Sequence, residues 1–207
     1  MEAPKKKEAL KWLFSQLSDE ALRRGDFSIV HEFLPVFDEF ERQELLRFLF
    51  WESLRSRVWW LAEECLTCGI SVSPSEAYAD GPLHTAMRLL DDCADVIAWL
   101  LAHGADIERR DLADGNTTPL IHAARAGLNG VVKLLLQKGA DPNASTIVDD
   151  DETPLMIASE TGNHEAVSLL LSGGADIMRK DRWGQDAGER ARRKGLKEEK
   201  VRKGKKK

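Results

Sequence analysis

Apolar side chains return at three- and four-residue spacing in three separate stretches: Val96, Ile97, Leu100 and Leu101; Val131, Leu134 and Leu135 with Val132 and Leu136 beside them; and Val167, Leu170 and Leu171. That spacing lines one face of a helix, so each stretch predicts an amphipathic helix whose stripe turns toward a core. Each stripe stops at a glycine, Gly104, Gly139 or Gly174, which supplies the left-handed conformation that ends a helix cheaply. These glycines stand 35 residues apart. A constant period predicts a row of like units, none of which can bury its apolar face alone.

The repeated phrases carry more than period. Trp99-Leu100-Leu101-Ala102-His103-Gly104-Ala105-Asp106 is echoed by Leu134 to Asp141 and by Leu169 to Asp176. Ahead of them stand Gly81-Pro82-Leu83-His84, Thr118-Pro119-Leu120 and Thr153-Pro154-Leu155. A threonine hydroxyl caps a free backbone N–H, and proline suits the first helical position because its missing donor is harmless there. First helices are therefore expected to start at Thr118 and Thr153, with a weaker cap at Gly81.

Together these motifs resemble the ankyrin repeat, a T-P-L-H opening followed by a short helix, a longer helix ending in L-L-L-x-x-G-A-D, and a protruding β-turn. The resemblance covers Gly81 to Gln185 and implies an all-α ankyrin-repeat solenoid of stacked helical hairpins with short β-turn loops. The family unit is about 33 residues, so two connecting loops are expected to be two residues longer, and one hairpin to carry two extra residues near Leu90-Asp91-Asp92-Cys93. The resemblance also gives His84 a structural role, tying neighbouring turns by hydrogen bonds.

Both ends depart from the pattern. Asp181 to Gly195 resembles a final unit with Asp186 at the capping place. Leu196 to Lys207 is too charged to bury a face and is expected to be frayed or disordered. Toward the other end, Ala21 to Leu34 is similar to the middle of a repeat, and Val58 to Gly69 reads as an altered second helix ending in Cys68-Gly69-Ile70. Helical hairpins are expected from about Glu8 to Leu34 and from about Asp38 to Gly69. Neither opens with T-P-L, so they are either degenerate repeats or a separate helical cap. The expected organisation is a divergent helical region at 1–70, ankyrin repeats at 71–189 and a basic disordered tail at 190–207.

A net charge of −5 conceals a strong polarity, because eleven Lys or Arg against two Glu from residue 190 onward give +9 and leave −14 on residues 1–189. The tail reads as a solvated charge run; the sharper readings are a nuclear-import address or nonspecific nucleic-acid contact, the latter without interleaved aromatics for stacking on bases. Lys11, Gln16, Asp19 and Glu20 interrupt the N-terminal stretch, so neither a signal peptide nor a membrane-spanning helix is expected there. Three cysteines fit a reducing compartment, and the expected location is cytoplasmic, with the nucleus reachable through the tail. Cys65 and Cys68 have C-x-x-C spacing, but no second such pair exists, and they read as small apolar side chains in a helix.

No H-E-x-x-H, phosphate-cradling glycine loop or G-x-S-x-G elbow occurs in the 207 residues. The chain is therefore expected to be noncatalytic, with no cofactor and no metal. The resemblance implies a long concave surface of turn tips and first-helix ends. Carried over residue by residue, its binding positions are Asp114 and Asn116, Arg125 and Ala126, Asp150 and Glu152, Glu160 and Thr161, and Arg182, Trp183 and Gln185. Trp183 is the strongest candidate, since an exposed tryptophan is typical of residues that dominate interface energy. The run Asp149 to Glu152 favours a basic partner. The expected function is an adaptor or inhibitor, a monomer that binds a basic protein. The alternatives are an antitoxin, immunity or effector-like protein that neutralises another, and a nucleic-acid-associated regulator using the tail.

Overall fold

A computed structural model describes residues 35, 37–72, 81–112, 115–148 and 150–193. The hairpin expected over Glu8 to Leu34 and the charged segment from Leu196 lie outside the described residues. The chain divides into two compact units, residues 1–74 and 75–207.

In the first unit, α1 (Glu39–Arg55) and α2 (Trp59–Thr67) pack together. Asp38 starts α1 through a reciprocal capping box: its carboxylate accepts from the Glu41 N–H at 2.9 Å while Glu41 accepts from the Asp38 N–H at 3.2 Å. The buried stripe Leu45, Leu46, Leu49, Phe50 and Leu54 meets Leu61, Ala62 and Cys65 of α2. After α2 the Gly69 N–H reaches Leu66 and the Ile70 N–H reaches Cys65, the paired bonds of a Schellman cap with Gly69 at φ +98°. The hairpin expected from Asp38 to Gly69 is therefore present, but α1 runs 17 residues, about twice the first helices of the second unit.

The second unit holds three helix pairs and a closing helix: α3 (Pro82–Leu89) with α4 (Ala94–Ala102), α5 (Pro119–Ala126) with α6 (Asn129–Gln137), α7 (Pro154–Thr161) with α8 (His164–Ser172), and α9 (Ala187–Arg193). First helices pack in one row, α3 on α5 on α7 on α9, and second helices in another, α4 on α6 on α8. Among the described residues, β structure is confined to a single bridge between Asp111 and Thr117.

Sequence dictates these boundaries locally. Thr118 accepts from the Ile121 N–H and Thr153 from the Met156 N–H, with proline at the first position of each helix. Gly81 offers no side-chain cap. Asp186 and Glu189 form a second capping box at 2.8 and 2.9 Å. Each second helix closes as α2 does, with the N–H of Ala105, Ala140 and Ala175 reaching back to Leu100, Leu135 and Leu170 around a left-handed glycine.

The core repeats in register: Val96, Ile97 and Leu100; Val131, Val132 and Leu135; Ala166, Val167 and Leu170 are all buried. Each such valine, isoleucine or leucine contributes about 1.5–3 kcal/mol on burial. Leu101, Leu134, Leu136 and Leu171, expected in the stripe, are only half-buried, because three consecutive residues span nearly a full helical turn and the middle one alone faces the partner row.

The expected insertions are present. Four residues, 90–93, join α3 to α4, where Gly127-Leu128 and Gly162-Asn163 suffice for the next two pairs. The loops 103–118 and 138–153 are each two residues longer than 173–186.

Candidate turn-face binding site

The three loops share one base. Asp111, Thr146 and Asp181, 35 residues apart and all buried, donate their N–H to the carbonyls of Thr117, Glu152 and Gln185 at 2.9, 3.0 and 3.0 Å. Each loop is thereby pinched into a finger. In the two longer fingers consecutive residues take positive φ, Gly115 and Asn116 at +63° and +59°, Asp150 and Asp151 at +45° and +57°. Two adjacent left-handed residues are the mark of a type I′ turn, where Asn, Asp and Gly are the tolerated occupants. The shorter finger turns on Gly184 alone, φ +74°.

Neighbouring fingers are also tied to one another. Glu108 accepts from the Asp141 N–H at 2.8 Å, Asn143 from the Asp176 N–H at 2.7 Å, and the Arg110 guanidinium donates to the Ser145 carbonyl at 2.8 Å. The Arg182 N–H donates to the Asp150 carbonyl at 2.9 Å. Spacing between fingers is thus held by hydrogen bonds as well as by the helix rows behind them.

At the base the charge chemistry alternates. Asp111 pairs with Arg88 at 2.5 Å, Thr146 is neutral and accepts from the Glu152 N–H at 3.0 Å, and Asp181 takes Arg190 through two bonds of 2.8 Å. Arg190 is itself buried and also bonds Glu160 at 2.9 Å and Glu152. Burial pushes the Asp181 carboxyl up, but the Gln185 and Trp183 N–H groups and Arg190 outweigh it, so the carboxyl ends below the usual range. Arg190, also opposed by burial, is held above its ordinary value by Asp181 and Glu152.

The expected binding positions therefore divide. Trp183 (67 % exposed), Ala126, Thr161 and half-exposed Arg182 present side chains to solvent. Asn116, Arg125, Asp150 and Gln185 are intermediate; Asp114 lies outside the described residues. Glu152 and Glu160 are turned inward to Arg190, with Arg125 3.9 Å from Glu152. These two acids, expected as binding positions, also compensate a buried guanidinium, which needs several carboxylate oxygens once water is removed. Arg190 itself, expected at the start of a disordered tail, is inside α9 and buried.

His84 is fully buried against the His122 ring, edge to face at 5.4 Å. Its ring nitrogens reach no well-formed hydrogen bond among the described residues. His84 is a packed, neutral histidine with the Thr118 main chain of the next unit beside its ring. Burial first, then His122, lowers its pKa to about 4, and the Thr118 main chain stands close enough to offset only part of that. Cys65, Cys68 and Cys93 are free thiols; burial pushes Cys65 up to about 12, which keeps it protonated and unreactive at neutral pH. Among the described residues no group of three His, Cys, Asp or Glu is placed to hold a metal, and no helix is long and apolar enough to cross a membrane.

Arg190, Asp111 and Thr146 were missed as site-forming residues; the 35-residue register of 111, 146 and 181 is the signal that marks the bases. No curated protein matches the chain significantly. A family model described as ankyrin repeats (3 copies) matches residues 56–146 and again 83–181, together more than half of the 207 residues and reaching back over α2. Ankyrin repeats are general protein–protein interaction modules. In-register helix rows, Schellman-capped second helices and pinched fingers agree with that match, and the chain belongs to the ankyrin-repeat family.

Proposed function

We propose that this chain is a noncatalytic adaptor or inhibitor that binds a protein with a basic surface through the turn face of residues 81–193. The observation that carries the reading is Trp183, whose side chain is 67 % exposed at a finger tip while its backbone N–H is held by Asp181 at 2.8 Å. A large apolar ring is thus displayed from a fixed backbone, which limits the entropy lost on binding. The −14 carried by residues 1–189 supports a basic partner by steering association. Three free thiols suit a reducing compartment such as the cytoplasm.

Trp183→Ala should weaken binding of the partner purified from native cells by about 10-fold or more, and Asp150→Asn, which removes the charge and keeps a residue tolerated at φ +45°, should weaken it less, both with the melting temperature nearly unchanged. Titration calorimetry beside a thermal melt reads both quantities. Unchanged affinity in both variants would move the binding surface elsewhere.

A further inference from the structure

Where α6 and α8 begin, four groups form one directed chain of hydrogen bonds. Asn163 caps α8, its side-chain oxygen accepting from the Ala166 N–H at 3.1 Å. That bond fixes which way the amide faces, so its Nδ2 donates to the Asn129 side-chain oxygen at 2.7 Å. Asn129 in turn gives its own Nδ2 to the Glu165 carboxylate at 2.7 Å. Both ends of the Asn129 amide are thus held by the following helix pair, and each orientation follows from the cap.

Asn129 is also followed by Gly130. An asparagine side-chain carbonyl carbon is open to attack by the main-chain nitrogen of the next residue, which closes a five-membered imide, and a glycine there has no side chain to hinder the approach. Gly130 is exposed, and a Cβ built on it would meet open space. Its N–H belongs to the first turn of α6, where no preceding turn offers a carbonyl. Leu128 supplies no side-chain cap, so this turn is the end of α6 that opens most readily. Two restraints oppose the reaction. Ring closure requires Asn129 to leave the helical ψ of about −42°, and it requires the amide to be released by Asn163 and Glu165.

We propose that Asn129 is a deamidation site gated by the contact between α6 and α8. When the tie opens, the Gly130 nitrogen gives its proton to solvent and bonds to Asn129 Cγ. The bond from Cγ to Nδ2 breaks, and Nδ2 leaves as ammonia with a proton from solvent. Water then opens the imide at Cγ, giving aspartate at position 129, or at the main-chain carbonyl, giving isoaspartate. Either product places a carboxylate where the donor to Glu165 stood. A carboxylate has no N–H to give and repels its neighbour, so the tie cannot reform. Isoaspartate also adds a methylene to the main chain at the first residue of α6. The reaction is irreversible, and it therefore records separation of the two repeats.

Timed incubation of the full chain at mildly alkaline pH tests this, with peptide mass mapping for the change from amide to carboxyl and isoaspartyl methyltransferase labelling for the isoaspartate. Wild type is compared with Glu165→Ala, which removes the acceptor, with Gly130→Ala, which has room for its Cβ but hinders ring closure, and with the chain unfolded in urea. Conversion at position 129 should be slow in folded wild type, fastest in urea, and nearly abolished in Gly130→Ala. In folded Glu165→Ala it should run about ten-fold faster than in wild type, equivalent to about 1.4 kcal/mol of holding energy. Hydrogen exchange of α5 and α7 is read beside it and should stay as in wild type. Equal rates in wild type and Glu165→Ala, or a rise in α5 and α7 exchange by the same factor as conversion, overturns the gate. Conversion that persists in Gly130→Ala, or none at position 129 in folded Glu165→Ala, overturns the site.

Discussion

The first and third fingers of the second unit solve one problem in two ways. Both bury an aspartate at the base, yet Asp111 draws its arginine from the first helix of its own unit, Arg88 of α3, while Asp181 draws Arg190 from the helix that follows, α9. Arg88 is a third exposed where it pairs with Asp111, whereas Arg190 is buried and bonds Asp181, Glu152 and Glu160. The first arrangement closes a finger onto its own unit. The second joins α9 to the finger and helix of the unit before it, adding a charged tie to the packing of α9 on α7.

The difference is broken most severely at Arg190. Arg190→Met removes the guanidinium that Asp181, Glu152 and Glu160 share and should cost about 3–5 kcal/mol, lowering the melting temperature of residues 75–207 and releasing α9 first in hydrogen exchange. A second effect comes from acid. His84 stays neutral in the fold down to about pH 4, while in the unfolded chain it takes a proton near pH 6.5. The unfolded state therefore binds more protons in that window, and stability falls as the pH drops from about 6.5 to about 4, by up to about 3 kcal/mol. His122, Arg88 and Asp111 face His84 there, so the loss should strike the first finger and disappear in His84→Gln, as thermal melts across that range will show.

Arg88→Met should cost less than Arg190→Met, about 2 kcal/mol, because water screens a guanidinium that is a third exposed; equal costs would erase the contrast between the two fingers. Thr146→Val is the mildest, about 1 kcal/mol in a denaturant titration, since it removes one acceptor from the Glu152 N–H without stranding a charge.

Which parts were legible in sequence follows from how far each determinant reaches. Caps are written within three or four residues, so the helix starts at Thr118, Thr153 and Asp186 and the glycine stops at 104, 139 and 174 could be placed directly. The inserted residues at 90–93 and in the two longer fingers came from counting against the period. Arg190 failed for the opposite reason: its partner Glu152 lies 38 residues away, and beside a run of lysines its charge resembled the tail's. The inward turn of Glu152 and Glu160 was hidden with it. The leucine triplets misled because periodicity marks a face without saying how wide its buried strip is.

The central claim is that the finger tips are a recognition surface on bases that are fully occupied with structure. Hydrogen–deuterium exchange of the chain, alone and bound to the partner recovered from native cells, tests it most directly. The account predicts new protection concentrated at 111–117, 146–152 and 181–185, with the second helices α4, α6 and α8 unaffected. Protection confined to those second helices or to residues 37–72, with the fingers exchanging as in the free chain, would contradict it.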